Sequence, residues 1–388
     1  MKNIKLSELN CNPEDFGVDY IPSYIDTDMT LNERHFVSGL IKLFAPCQIL
    51  EIGVAGGGNT VNILHTIKDM ESSLTSIDIA EIFNHPFVGP LEVGGFVKQE
   101  FDYLSSNKWQ LLTGKDPAER MEDLNRKFDM VIIDTAHVHP IETLNFLSVL
   151  PFLNENAVVI LHDVSLFMDT VKKYNEVSCI ATRVLMSCVC ADKYSPEFKG
   201  FGGYTNIVAF QISEDTRKYI RNVFDSLMIP WECRDWTPFC ATTVKPLIAR
   251  YYSKELNEIF DTAVKMNLEI EYNMHNSKFH DFTNKLYSDK SVVFYGAGDQ
   301  FKILSRKKYL EKFKEVSVWD KKAEEIKQVD NYIVSLPDYS TIRDGYDMIV
   351  TIENNDIFEE IKNQFSPLGY NVYHGLFEYA YALYEKRC

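Results

Sequence analysis

The chain has 388 residues, of which 45% are hydrophobic and 25% charged, which excludes a disordered or collagen-like polymer and suffices for two domains of ordinary size. Its formal net charge of −16 argues against a sequence-independent grip on nucleic-acid phosphates, so no nucleic-acid partner is expected. No apolar run approaches the roughly 20 residues of a membrane span, Met1–Glu8 lacks the apolar centre of a secretory signal, and the eight cysteines are irregularly spaced with no CxxC pair; together these predict a cytoplasmic protein with reduced thiols and no membrane partner.

Residues 1–45 read as a helical lead-in, with Phe36, Leu40, Ile41, Leu43 and Phe44 on one face. The run Ile49-Leu50-Glu51-Ile52 then ends in an acid and breaks into Gly53, Gly56, Gly57 and Gly58. A helical pattern resumes at Val61, Ile63, Leu64 and Ile67. That is a buried parallel strand, a tight turn, and a helix whose N-terminus faces the turn. The spacing E-x-G-x-x-x-G differs from the G-x-G-x-x-G of a dinucleotide site, and an acid at the strand end suits a cationic ligand group better than a phosphate.

Ser73–Ile77 predicts a second strand ending in Asp78, 25 residues after Gly53, the length of one turn, one helix and a return strand. An acid there can accept both ribose hydroxyls; its plainer reading is a solvated carboxylate. Trp109–Leu112 is a third strand, followed by a loop through Lys115 and a helix beginning at Asp116-Pro117. Phe128–Ile133 is apolar enough for a central strand and ends in Asp134, with His137 and His139 just beyond and a helix through Ile141, Leu144, Leu147 and Leu150. Ala157–Leu161 is a fifth strand closed by His162-Asp163. Polar residues just past the carboxyl ends of parallel strands line the ligand crevice of an open α/β sheet, and Asp134, His137, His162 and Asp163 all fall there.

With its Glu51-to-Gly57 motif, Asp78, Asp134-x-x-His137 and His162-Asp163, the chain resembles the class I S-adenosylmethionine-dependent methyltransferases, and among them the small-molecule and sugar O-methyltransferases. The resemblance implies a cofactor loop at Gly53 and Gly57 under the amino-acid part of S-adenosylmethionine, with Glu51 helping to hold its ammonium. It further implies Asp78 on the ribose, Lys115 and Asp116 beside the adenine, and Asp134 on the cofactor side. In metal-dependent relatives the acids at the Asp134 and Asp163 positions bind a divalent cation, usually Mg²⁺. Their third ligand is commonly Asn or Asp directly after the second acid; here that residue is Val164, and the metal stays open. His137 stands where those relatives carry a lysine base, and an imidazole can take a proton from a substrate hydroxyl near neutral pH. His162 is a candidate substrate contact. His139 reads as an ordinary loop histidine.

Beyond Asp163 the pattern gives a helix, a strand-like Ile180–Val189 with Cys188 and Cys190 alternating on it, a Gly-rich turn at Gly200–Tyr204, and a strand through Thr205–Phe210. Helical periodicity returns from Pro246 to Met266 and continues towards His280. A second α/β pattern follows: Ser291–Tyr295 and a Gly296-Ala297-Gly298 turn, Val316–Trp319 ending in Asp320, Asp347–Thr351, and Tyr370–Tyr373. Phe301 occupies the third glycine position of the dinucleotide fingerprint, which points to a structural turn more than to a nucleotide site.

The expected fold class is α/β, a Rossmann-like doubly wound sheet followed by a second, smaller Rossmann-like domain. Residues 1–275 form the first domain, 276–288 a linker and 289–388 the second. The expected activity is methyl transfer to a hydroxyl of a small molecule (a sugar, nucleotide-sugar or natural product), with His137 and Asp134 as catalytic residues and Mg²⁺ on Asp134 and Asp163. Homo-oligomerisation, nitrogen or carbon as the acceptor, a degenerate cofactor pocket without catalysis, and an NAD(P)- or nucleotide-sugar-binding oxidoreductase working from the Gly296 turn remain as alternatives.

Overall fold

The computed structural model describes every residue except 1, 3, 19–28, 86–88, 101–106, 175–176, 234–236, 275–277, 341–344 and 387–388. The chain divides into two compact units, Met1–Asn267 and Leu268–Cys388. The helix Lys254–Asn273 crosses that division, and the helix Lys278–Tyr287 occupies most of the stretch read as a linker, whose residues 276–277 lie outside the described residues.

In the first unit, α1 (Leu31–Phe44) is started by a reciprocal capping box: Thr30 N–H donates to Glu33 Oε2 at 2.7 Å and Glu33 N–H to Thr30 Oγ1 at 3.4 Å. Phe36, Val37, Leu40, Ile41 and Phe44 then fall on one buried face. β1 (Gln48–Ile52) leads through the glycine turn into α2 (Gly58–Ile67), and β2 (Ser73–Ile77) returns beside it. An antiparallel hairpin, β3 (Ile82–His85) and β4 (Gly89–Glu92), precedes α3 (Gly95–Glu100). β5 (Trp109–Leu112), α4 (Pro117–Leu124), β6 (Phe128–Ile133), α5 (Ile141–Val149) and β7 (Leu153–His162) complete the alternation. After it come α6 (Leu166–Tyr174), α7 (Ala181–Cys188), β8 (Lys193–Tyr194) and β9 (Ile207–Gln211).

The sheet runs β5-β2-β1-β6-β7-β9-β8, parallel from β5 to β7, with β9 antiparallel to β7 and β8 antiparallel to β9. This is the doubly wound arrangement, and its order reverses between β1 and β6, where a ligand crevice opens at the carboxyl ends. β6 is buried at every position, as a central parallel strand with covered faces must be.

The expected strand Ile180–Val189 is instead α7. Its buried residues Ala181, Thr182 and Leu185 recur at helical spacing, and Cys188 closes the last turn rather than alternating along a strand. The hairpin β3–β4 was not foreseen. Its following segment lies over the glycine loop, where Gly94 N–H donates to Ala55 O at 2.9 Å and Phe96 N–H to Gly56 O at 3.0 Å.

The second unit has its own sheet. β10 (Ser291–Tyr295), β11 (Glu315–Trp319), β12 (Gln328–Val329), β13 (Tyr332–Ser335), β14 (Tyr346–Val350) and β15 (Tyr370–His374) are ordered β12-β13-β11-β10-β14-β15. Only β12 is antiparallel to its neighbour. Its Gly296 has φ +106°, and Asp320 accepts from Ala297 N–H at 2.7 Å and Lys322 N–H at 2.8 Å. Phe301 is fully buried and meets Phe294 and Tyr332 edge-on, with ring centroids 5.7 and 5.9 Å apart, so a ring fills the space that a third glycine would leave open. Among the described residues, no helix is long and apolar enough to cross a membrane.

Candidate active site

The carboxyl ends of β1, β2 and β6 open on a cavity of about 240 Å³ whose lining includes Gly53, Val54, Asp78, Asp116, Asp134 and Asn145. Its floor is the turn after β1. Gly53 has φ +87°, and a Cβ built there would lie 1.7 Å from the Asp134 carbonyl oxygen, so no other residue fits. Asp78 clamps the turn: Oδ2 accepts from Val54 N–H at 2.9 Å and Ala55 N–H at 3.1 Å, and Oδ1 from Ala80 N–H at 2.8 Å. A carboxylate has about four acceptor sites, so capacity for ligand hydroxyls remains. Gly57 has φ +92° and caps α2, but it packs against Val97 and Gly94 and is not among the lining residues.

Glu51 is fully buried and is not among the cavity-lining residues. Successive strand side chains alternate, so Glu51 shares the face of Ile49, which packs with Val61, Ile63 and Leu64 of α2. There Ser76 Oγ (2.7 Å) and Thr60 Oγ1 (2.8 Å) donate to Oε2, and Asn59 Nδ2 (3.0 Å) to Oε1. Burial pushes the Glu51 carboxyl up to about 7, against the pull of these three donors.

The folded state therefore holds the Glu51 proton over a range, from about 4.5 to about 7, in which the unfolded chain has released it. This contribution to stability is full below the unfolded value and is lost as pH rises through the folded one. A Glu51→Gln variant, which cannot ionise, is expected to gain stability relative to the wild type as the pH is raised from about 5 to about 8. Urea unfolding of both proteins at several pH values checks this; a pH-independent difference contradicts it.

Asp116 caps α4, accepting from Ala118 N–H at 2.8 Å, and burial raises its carboxyl to about 6. Lys115 is exposed and does not line the cavity.

On its far side the cavity adjoins a cluster of acids and imidazoles, and Asp134 belongs to both. His162 is 2% exposed. Its Nδ1 lies 3.3 Å from Asp134 Oδ1 and 3.4 Å from Asp163 Oδ2, and its Nε2 3.5 Å from Glu33 Oε1. Burial alone would lower the His162 imidazole, but the Asp134 and Asp163 carboxylates hold it well above its ordinary value. Burial likewise works to raise Asp163, and the His162 charge overcomes it to hold the carboxyl at about 2. Asn206 Nδ2 donates to Asp163 Oδ1 at 2.7 Å, while its Oδ1 accepts from Ser165 Oγ at 2.9 Å.

His137, at φ +62°, places Nε2 3.2 Å from Asp163 Oδ2 and 3.9 Å from Asp134 Oδ1, with its side chain 21% exposed. Glu142 Oε1 accepts from the His137 backbone N–H at 2.6 Å and from Thr135 Oγ1 at 3.0 Å. His139 lies outside the cluster; it is buried, which lowers its imidazole to about 4.

The structure thus gathers Asp134, His137, His162 and Asp163 at one rim, and Gly53, Asp78, Asp116 and Asp134 around one cavity. Glu51, Gly57 and Lys115 stand outside that lining. Glu33, Glu142 and Asn206 were not anticipated. Glu33 carries a signal, since T-x-x-E announces a capping box, but that signal speaks of a helix start and not of a site.

Residues 50–164, from the strand before the glycine turn to the residue after Asp163, match the family model of a methyltransferase domain. The first unit carries a class I, S-adenosylmethionine-dependent methyltransferase domain. No curated protein matches the chain. Among solved structures it is similar to the O-methyltransferase TomG from Streptomyces achromogenes, involved in tomaymycin synthesis and solved with SAM. The identity is 18% and the TM-score 0.37, over 48% of this chain and 82% of that one. It is also similar to an O-methyltransferase from Bacillus cereus in complex with SAH, with 16% identity and a TM-score of 0.34, over 49% of this chain and 84% of that one. At such scores these neighbours carry no weight in assigning an acceptor.

Three ligand atoms, one each from Asp134, His162 and Asp163, lie within 4.8 Å of one another. Two carboxylates at the edge of a cavity fit Mg²⁺, which takes few protein ligands and keeps several waters. Val164 is fully buried and offers no ligand atom.

Proposed function

We propose that this methyltransferase transfers its methyl group to a hydroxyl of a sugar-like or natural-product small molecule, with His137 as the base. The supporting observation is the partly exposed imidazole of His137 beside Asp134, the residue that the cofactor cavity and the acid–imidazole cluster share. In this reading the turn Gly53–Ala55 carries the amino-acid part of the cofactor, Asp78 holds the ribose, and Asp116 and Pro117 border the adenine. Glu51 acts from behind the loop. The acceptor oxygen attacks the sulfonium methyl in line, and the protein's main contribution is to hold the two close and aligned. His137 takes the hydroxyl proton at Nε2, the nitrogen on the cluster side. Mg²⁺, if bound, would be held by Asp134 and Asp163 and would lower the pKa of the hydroxyl. His162, nearly sealed from solvent, orients the two carboxylates between which its Nδ1 lies rather than meeting substrate directly.

His137→Ala is expected to lower turnover by about 10²- to 10⁴-fold, the usual range for a positioned base, while leaving S-adenosylhomocysteine affinity close to that of the wild type. Single-turnover kinetics and calorimetric titration check the two halves. Unaltered turnover would remove His137 from the role. The rival nucleotide reading of the Gly296 turn predicts NADH binding, which the buried Phe301 disfavours.

A further inference from the structure

Glu142 belongs to no part of the mechanism above, yet it is completely buried in the first turn of α5 beside the proposed base. Its Oε1 holds the backbone N–H of His137 at 2.6 Å and the hydroxyl of Thr135 at 3.0 Å, and lies 3.6 Å from His137 Nδ1. Thr135 Oγ1 in turn accepts from Asn145 Nδ2 at 3.2 Å, and Asn145 lines the cofactor cavity. Among the described residues, two atoms here are buried without a hydrogen-bond partner: Glu142 Oε2 and His137 Nδ1. A buried carboxylate oxygen and a buried ring nitrogen each cost free energy when left unmet. Both are relieved if the ring turns so that Nδ1–H donates to Oε2, the oxygen that shares the carboxylate with the Oε1 lying 3.6 Å from Nδ1.

We infer that Glu142 is the positioning residue for His137: by accepting from Nδ1–H it fixes the tautomer and the plane of the ring, leaving the Nε2 lone pair directed to the rim shared by Asp134 and Asp163. The inference rests on the reading of His137 as base. A carboxylate behind an imidazole that sets which nitrogen carries the proton is a general device of base catalysis, and its replacement by an amide disturbs the tautomer while leaving the shape intact.

A merely structural role is the competing account, since Glu142 also ties the turn Thr135–His137. Glu142→Gln separates the two. Its amide oxygen, in the place of Oε1, can still accept from His137 N–H and Thr135 Oγ1, so the turn keeps its bonds, but the amide nitrogen then takes the place of Oε2 and offers Nδ1 a donor instead of an acceptor. The expected result is a fall in kcat of about 10²-fold or more with cofactor affinity unchanged. In ¹⁵N spectra of ring-labelled protein, taken where the ring is neutral, the His137 proton is expected on Nδ1 in the wild type and on Nε2 in the variant; the resonances are assigned by their loss in His137→Ala. An Nε2–H ring in the wild type overturns the proposal without any Glu142 variant having to fold. So does an unchanged kcat in Glu142→Gln. If His137→Ala loses turnover while Glu142→Gln does not, the base stands and this inference alone fails. If His137→Ala retains turnover, the base reading fails, and the wild-type spectrum still decides whether Glu142 orients the ring.

Discussion

Gly53→Ala is expected to abolish cofactor binding and to lower the melting temperature of the first unit by about 5–10 °C, roughly what 3 kcal/mol produces in a domain of this size. Two costs combine. At φ +87° an L-residue sits in the left-handed region, which costs about 1–2 kcal/mol by itself. The added Cβ would also stand 1.7 Å from the carbonyl oxygen of Asp134, so backbone must move, not merely a flexible side chain. The turn cannot shift alone. Gly53 N–H donates to Ile77 O at 3.0 Å, Asp134 N–H donates to Ile52 O at 2.9 Å, and the next two amides are held by Asp78. Moving Gly53 therefore disturbs the ends of β1, β2 and β6 together, which are the ends that frame the cavity. Thermal denaturation and titration with S-adenosylhomocysteine measure the two effects. Near-wild-type affinity would mean that the cofactor does not use this turn. A Gly57→Ala comparison is informative because Gly57 is also at positive φ but meets the Val97 side chain first, at 2.8 Å, so stability is expected to suffer there more than binding.

The sheet ends were legible because each is an apolar run that stops at an acid: Ile77 before Asp78, Ile133 before Asp134, Leu161 before His162-Asp163. Parallel strands buried on both faces read as near-continuous hydrophobics, so their carboxyl ends stand out. Glu51 looked like another of these strand-end acids. It precedes the last strand residue by one, and the pleat turns it to the α2 face, which residue type alone does not reveal. Glu142 was invisible for a different reason. An acid in the first turn of a helix is favoured there by the helix dipole whether or not it serves a site. α7 was misread because Ile180 and the Val-Leu pair at 184–185 suggest a strand, whereas tertiary burial of Ala181, Thr182 and Leu185 selects a helix. Asn206 immediately precedes β9, an antiparallel strand whose start is brought to Asp163 by the register Leu161↔Val208 and His162↔Ile207, a pairing fixed by the whole sheet.

Asp134→Asn is expected to reduce turnover by about 10²-fold or more and, unlike the other changes in the acid–imidazole cluster, also to weaken the cofactor. Asp134 alone lines the cavity while contacting both imidazoles, at 3.3 Å from His162 Nδ1 and 3.9 Å from His137 Nε2. An amide in its place keeps the volume but removes a charge that the buried His162 ring faces. Breaking one partner of a buried charged set leaves the other uncompensated, and His162 is then expected to lose its proton more readily. Asp163 retains Asn206 and His162 as partners, so an Asp163→Asn change is expected to spare cofactor affinity, because Asp163 does not line the cavity. The pair thus separates the two halves of the site. Asp134→Asn should raise the cofactor Kd and lower kcat, whereas Asp163→Asn should lower kcat alone. Equal effects of both substitutions on cofactor Kd would show that the cavity and the cluster are one binding surface, and would remove the special position given to Asp134.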